Sequence, residues 1–391
     1  MKIIVASGAY KNSLSAEQVA DAIGRGLERS LLQITLHYIP IADGGNGTLN
    51  AFLRNGGETL ELTTHDPLGR AVRSAFGVLP DGRTAVIEMA LTSGLELLAH
   101  EERDPLRATT YGTGQLLQAA LDTGARRIIV GMGGSATVDG GAGCMQALGV
   151  RLLDAEGIDV EPGGGNLHRI RTIDVSRLDP RWRSVEVVIA SDVDNPTLGA
   201  AGAAAVFGPQ KGASPEDVRS LEMNLRHFFT LVAEQVGIDV RETPGGGAAG
   251  ALSAGLMAFL GGRIQSGIDL LLEHSQFDDL LSDADLVITG EGQMDEQTVH
   301  GKGPIGVARR ARAHGVPTVA IVGGLKADDA LLHDAGVWAV LPIVTAPMPL
   351  DESIANAADL VERAAIRLGY LLRLESTFES KKPPVRRQGG S

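Results

Sequence analysis

One pattern recurs along the whole chain and constrains its fold more than any other. A short run of apolar, largely β-branched residues is followed by a glycine-rich turn and then by a helical pattern. KIIVA precedes AEQVADAIGRGLERSL, ITLHYIPIA precedes TLNAFLRNGG, and RIIVGM precedes a small-residue helix through GAGCMQALG. VEVVIAS, ADLVITG and TVAIVGG repeat the theme. Such alternation predicts an α/β protein with a parallel sheet. Sheets of this kind bind ligands beyond the carboxyl ends of their strands, and each charged glycine loop falls at such an end. Residues 61–90 differ: their strand patterns are joined by Pro-Leu-Gly and Pro-Asp-Gly and predict hairpins. With 391 residues, two domains are expected, and the hairpins suggest a second domain inserted into the first.

The excluded classes follow from composition. A net charge of −13 argues against a nucleic-acid or membrane-surface binder. The single cysteine, Cys144, rules out an internal disulfide and a Cys-built zinc site, and its small-residue setting predicts a buried packing role. The N-terminus has no cleavage region of a signal peptide. No apolar run reaches the ~18 residues of a membrane span, so the chain is expected in the cytoplasm. The segment 376–391 reads as a disordered tail. No P-loop, G-x-S-x-G or H-E-x-x-H motif is present.

Four loops could carry chemistry. In the first, Lys11 lies near a helix start, where anions are favoured, and Ser13 or Ser15 is the expected N-cap. The second is Ala42-Asp43-Gly44-Gly45-Asn46-Gly47-Thr48, whose glycines let backbone N–H groups approach a ligand. Its aspartate could hold Mg²⁺ or accept a hydroxyl proton. The third is Gly131–Gly141, with Gly133, Gly134, Ser135 and Asp139. It contains a G-x-G-x-x-A match with Asp154 at a ribose-acid distance, so a dinucleotide fold is a rival. Gly245–Gly250 gives another such match without a clear strand before it. The fourth, LVITGEGQMDEQTVHGKG, carries Glu291, Gln293, Asp295 and Lys302, and Asp192 and Asp194 in SDVDNP, also after an apolar strand, are grouped with it. Acids, lysine and exposed amides together are what phosphoryl transfer needs, since that reaction rests on positioning and charge neutralisation.

The stretches ADGGNGT, TTYGTGQLL, GMGGSATVDGGAG, DVDNPTLGAAGAAAVFGPQKGAS, DLVITGEGQMDEQT and HGKGPIGVARRA occur in one order over about residues 1–375. In these the chain resembles the bacterial glycerate kinases of the first class, which phosphorylate D-glycerate, typically at the 2-hydroxyl. The resemblance implies a two-domain α/β fold. Residues 1–60 with 285–375 would form a flavodoxin-like domain with a parallel sheet, and 61–284 an α/β domain inserted into it, with the active site in the cleft. It also implies ATP as donor and Mg²⁺ as cofactor.

Some loop positions depart from that family. Ser7-Gly8-Ala9 stands where Pro-Asp-Ser is usual, Asn46 replaces a glutamate, Val138 an asparagine, and Gln293 an arginine. A lost arginine removes a bidentate partner for a carboxylate. A neutral polyol or cyclitol is therefore a rival acceptor. A non-catalytic ligand sensor and an NAD-dependent oxidoreductase are rivals of different classes.

The expected reaction is transfer of the ATP γ-phosphoryl group to a hydroxyl of a small polyhydroxylated acceptor, D-glycerate first. Asp43, Lys11, Asp192 and Asp295 are the expected catalytic residues. Gly133, Gly134, Ser135, Lys211, Glu291 and Lys302 are expected at the nucleotide, helped by the Phe207–Gly212 loop. Ser13, Gly44, Gly45, Asn46, Asp139 and Gln293 are expected at the acceptor, and Asp192, Asp194 and Glu291 at the metal. Partners are the substrate and ATP, with no nucleic acid or membrane, and a homodimer is the expected assembly.

Overall fold

A computed structural model describes residues 1–42, 44–299 and 303–379. Its described residues fall into two compact units, 1–41 with 276–379, and 42–275. The breaks lie at 41/42 and 275/276, not at the expected 60/61 and 284/285. The glycine loop 44–47 and the helix Thr48–Leu53 belong to the second unit because they pack on its sheet, not on the strand before them.

The chain opens with β1 (Lys2–Ser7) and β2 (Thr35–Tyr38) of the first unit. In the second unit come β3 (Glu58–His65), β4 (Ala71–Val78), β5 (Thr84–Glu88) and β6 (Arg127–Gly131). A small antiparallel pair, β7 (Arg151–Leu153) and β8 (Thr172–Asp174), follows, then β9 (Glu186–Ala190) and β10 (Arg263–Gln265). The first unit resumes with β11 (Leu286–Gly290), β12 (Gln293–Met294), β13 (Thr318–Val322), β14 (Gly324–Leu325) and β15 (Val337–Pro342).

The first unit's sheet runs β15-β13-β11-β1-β2, all parallel. Numbered within the unit this is the order 2-1-3-4-5, the flavodoxin-like arrangement. Its inner strands are buried throughout, as LVITG and TVAIV show, which is why they read as unbroken apolar runs and not as alternating ones. Ser15 caps the helix Ala16–Arg29 in a capping box with Gln18. The C-terminal helix, Ala357–Glu379, continues through the first four residues of the segment expected to be a disordered tail. Residues 380–391 lie outside the described residues.

The second unit's sheet runs β10-β9-β6-β5-β4-β3. From β10 to β5 the pairing is parallel, and β5-β4-β3 is antiparallel. The hairpins expected over 61–90 are these last three strands, turned at Asp66–Gly69 and Pro80–Gly82. Cys144 is fully buried in this unit's core.

Candidate active site

In the first unit the winding direction reverses between β1 and β11, and open α/β sheets hold ligands beyond that switch point. Three loops meet there. Gly8 N donates to Gly290 O at 2.9 Å. A Cβ on Gly292 would stand 3.3 Å from the Lys11 amide nitrogen, so the loop after β1 lies against the loop after β11. Gly323 N donates to Glu291 O and Gly324 N to Gly292 O, and the β12–β14 ladder extends this seam.

Inside the seam, Thr298 is 1% exposed and ties the acids together. Its hydroxyl donates to Glu291 Oε1 at 2.7 Å and accepts from Asp295 N at 3.1 Å. Gln293 Nε2 reaches Asp295 Oδ2 at 3.3 Å. Glu291 and Asp295 are half-buried, while Lys11 and Gln293 are exposed. Beneath them Tyr10 donates its hydroxyl to Ile321 O at 2.7 Å. Burial, and then the charge of Glu291, push its ionisation far up, so it remains a donor. The Ser13 hydroxyl donates to Ile354 O at 3.1 Å within the unit.

In the second unit the glycine loop 44–47 lies across the carboxyl ends of β6 and β9. Gly133 N donates to Gly44 O at 2.8 Å. A Cβ on Gly44, which has φ +83°, would meet Ala190 O at 2.4 Å, and one on Gly133 would meet Gly45 Cα at 2.3 Å. Only glycine permits this approach. Gly134 and Asn46 remain exposed at the rim, and a Cβ on Gly134 would meet Asn46 Oδ1 at 2.5 Å.

Three residues expected at ligands make bonds within this scaffold. Asp139 is fully buried and accepts from Thr110 N and Oγ1, Gly141 N and Gly143 N at 2.8–3.2 Å. Burial pushes its carboxyl up, and those donors oppose the shift. Lys211 is 1% exposed and donates from Nζ to Ser135 Oγ and Thr137 O, each at 2.7 Å. Burial lowers its pKa to about 7. Ser135 is therefore committed to the lysine. These positions looked like ligand groups because charge beside glycine reads alike whichever way the side chain turns.

Asp192 accepts from Gly267 N at 3.1 Å and Ile268 N at 3.3 Å, at the start of the helix Gly267–His274. Asp194 is exposed. Asp43 and Lys302 lie outside the described residues. The sequence reading overlooked Glu88, which ends β5 and accepts from Gly47 N and Leu49 N.

The dinucleotide fingerprint does not fit. After β6 the chain runs through a long loop before the helix Ala142–Ala147. Asp154 is 8% exposed and closes a turn by accepting from Glu156 N and Ile158 N, far from a ribose-binding strand end in role. Among the described residues no group of three or more His, Cys, Asp and Glu side chains is placed to hold a metal. Mg²⁺ asks for less: it keeps several waters and takes one or two carboxylates plus phosphate oxygens. Glu291, whose carboxylate accepts from Thr298, and Asp295, whose backbone amide donates to the same hydroxyl, suit that demand as hard oxygen donors. Also among the described residues, no helix is long and apolar enough to cross a membrane.

The glycerate kinase family model matches residues 3–373. A glycerate kinase of Bacillus subtilis (strain 168) is 47% identical over 97% of this chain and 99% of its own. A glycerate 2-kinase of Escherichia coli (strain K12) is 44% identical over 96% and 98%. The crystal structure of a candidate glycerate kinase 2 from Salmonella typhimurium LT2 superposes with a TM-score of 0.83 at 42% identity, covering 96% of this chain and 99% of that one. The chain belongs to the glycerate kinase family, phosphotransferases that use ATP and an alcohol acceptor.

Proposed function

We propose that the chain transfers the γ-phosphoryl group of ATP to the 2-hydroxyl of D-glycerate, giving 2-phosphoglycerate and ADP. The observation that carries this reading is similarity over nearly the full chain to relatives named for glycerate phosphorylation, one of them a 2-kinase. The acceptor oxygen forms the new bond to γ-phosphorus as the bond to the β-bridging oxygen breaks. The hydroxyl proton passes to Asp43, and Lys11 and Lys302 neutralise phosphate charge. The rim of Gly44, Gly45 and Asn46 faces the acceptor in this reading, and the Gly133 and Gly134 amides face phosphate oxygens. Glu291 and Asp295 would hold Mg²⁺, with Asp192 orienting the acceptor side through the helix it caps. Bound Mg²⁺ supplies charge neutralisation at the phosphate oxygens.

A neutral acceptor is the second reading, and it rests on Gln293, an exposed amide where the family's arginine is usual. The reaction is placed in the cytoplasm. A homodimer is the proposed assembly, supported by exposed Tyr370, Leu371 and Leu374 along one face of the C-terminal helix. The deciding experiment is coupled ADP detection across an acceptor panel, with ³¹P NMR of the product. D-Glycerate should give the highest kcat/KM and a 2-phosphate. A higher kcat/KM for a cyclitol or uncharged polyol, or a 3-phosphate product, overturns the assignment.

A further inference from the structure

None of these roles uses the carboxylate at the end of β5. Glu88 is 5% exposed, and among the described residues it is met by amides and not by a cation. Gly47 N lies 3.2 Å from both of its oxygens, and Leu49 N donates to Oε2 at 3.1 Å. The charged neighbour acting on it is Glu96, of the same sign. Burial raises the Glu88 carboxyl's pKa and the amide donors of Gly47 and Leu49 oppose that shift, so the carboxyl and this loop are matched in geometry.

What it holds is specific. Gly47 has φ +90° and opens the helix Thr48–Leu53, and Gly44–Asn46 directly precede it. Thr48 Oγ1 adds a bond back to Gly45 O at 2.6 Å. At its other end the loop is fixed by Gly44 O, which accepts from Gly133 N. The exposed middle of the loop is therefore suspended between β6 and Glu88. We propose that Glu88 is a positioning residue for the acceptor loop. Its two oxygens fix the Gly47 and Leu49 amides and so set where Gly44, Gly45 and Asn46 stand at the carboxyl edge. This rests on the reading of that loop as facing the acceptor.

The test compares full-length Glu88→Gln and Glu88→Asp with wild type. Gln keeps the volume but turns an NH₂ donor toward amide donors, and Asp keeps the charge but is one methylene short. Both should raise KM for D-glycerate roughly tenfold or more, the scale of one lost charge-assisted hydrogen bond, and leave KM for ATP within about twofold. Hydrogen–deuterium exchange should rise in the peptide spanning residues 44–53 and stay unchanged in β1. Wild-type glycerate kinetics in both variants would overturn the proposal. So would equal losses for both substrates with a falling Tm, or failure of both variants to fold, since each would make Glu88 a plain stability element. If wild type itself ignores D-glycerate, the acceptor assignment fails, and the exchange measurement decides the role of Glu88 alone.

Discussion

At the carboxyl edge of the second unit's sheet, Glu88, Asp139 and Lys211 are at most 5% exposed and direct their polar atoms at loop backbone and a neighbouring hydroxyl. At the same edge of the first unit, Glu291 and Asp295 are half-buried and Lys11 is exposed. Both edges are rich in charge and glycine, yet the charge works differently. Buried titratable groups in the second unit bond to loop backbone while neighbours such as Gly134 stay exposed. In the first unit Thr298 bonds the Glu291 carboxylate and the Asp295 backbone amide, and these acids stay partly open to solvent. A charged residue beside a glycine turn is thus two things, a brace or a contact, and burial separates them.

The sharpest way to break this comparison is Asp139→Ala. It strands several buried donors, each worth about 1–3 kcal/mol unmade, so unfolding free energy should fall by about 3–5 kcal/mol in denaturant titration. A loss below about 1 kcal/mol would make Asp139 something other than a brace. Glu291→Gln should do the reverse: kcat/KM falls roughly ten- to a hundredfold, or about 1.4–2.7 kcal/mol, while stability moves little. A Tm drop without kinetic loss would place Glu291 among the braces.

Lys211→Met gives the most pH-specific effect. With its pKa lowered to about 7 in the folded protein against ~10.4 unfolded, the unfolded chain binds the extra proton between those values. Wild-type stability should therefore rise relative to the variant as pH increases from about 7 to 10, by up to about 1.4 kcal/mol per pH unit. Below about 7 the difference between the two should flatten. A difference that is level across the whole range would mean the lysine is charged when buried.

Much of the architecture was legible because parallel strands covered on both faces leave unbroken apolar runs. KIIVA, LVITG and TVAIV appear as strands for the same reason they are buried. The Ser15 cap and the hairpins were legible from local chemistry as well. The braces were not, because their partners are far away in the chain. Asp139 meets Thr110 and Lys211 meets Ser135, separations of 29 and 76 residues. Glu88 ends TAVIE and reads as the polar end of any strand. What makes it different is a pair of amides about 40 residues earlier.

The register of β1 on β11 has a consequence for synthesis on the ribosome. Ile3 pairs with Leu286, so the first strand to emerge awaits a neighbour made 283 residues later. At roughly 5–20 residues per second that wait lasts about 15–60 s. During it the inserted Ala42–Ser275 segment can complete its own sheet, while KIIVA has only β2 beside it. Nascent chains stalled before residue 286 should therefore be the ones that chaperones hold, through an apolar strand with one bare edge.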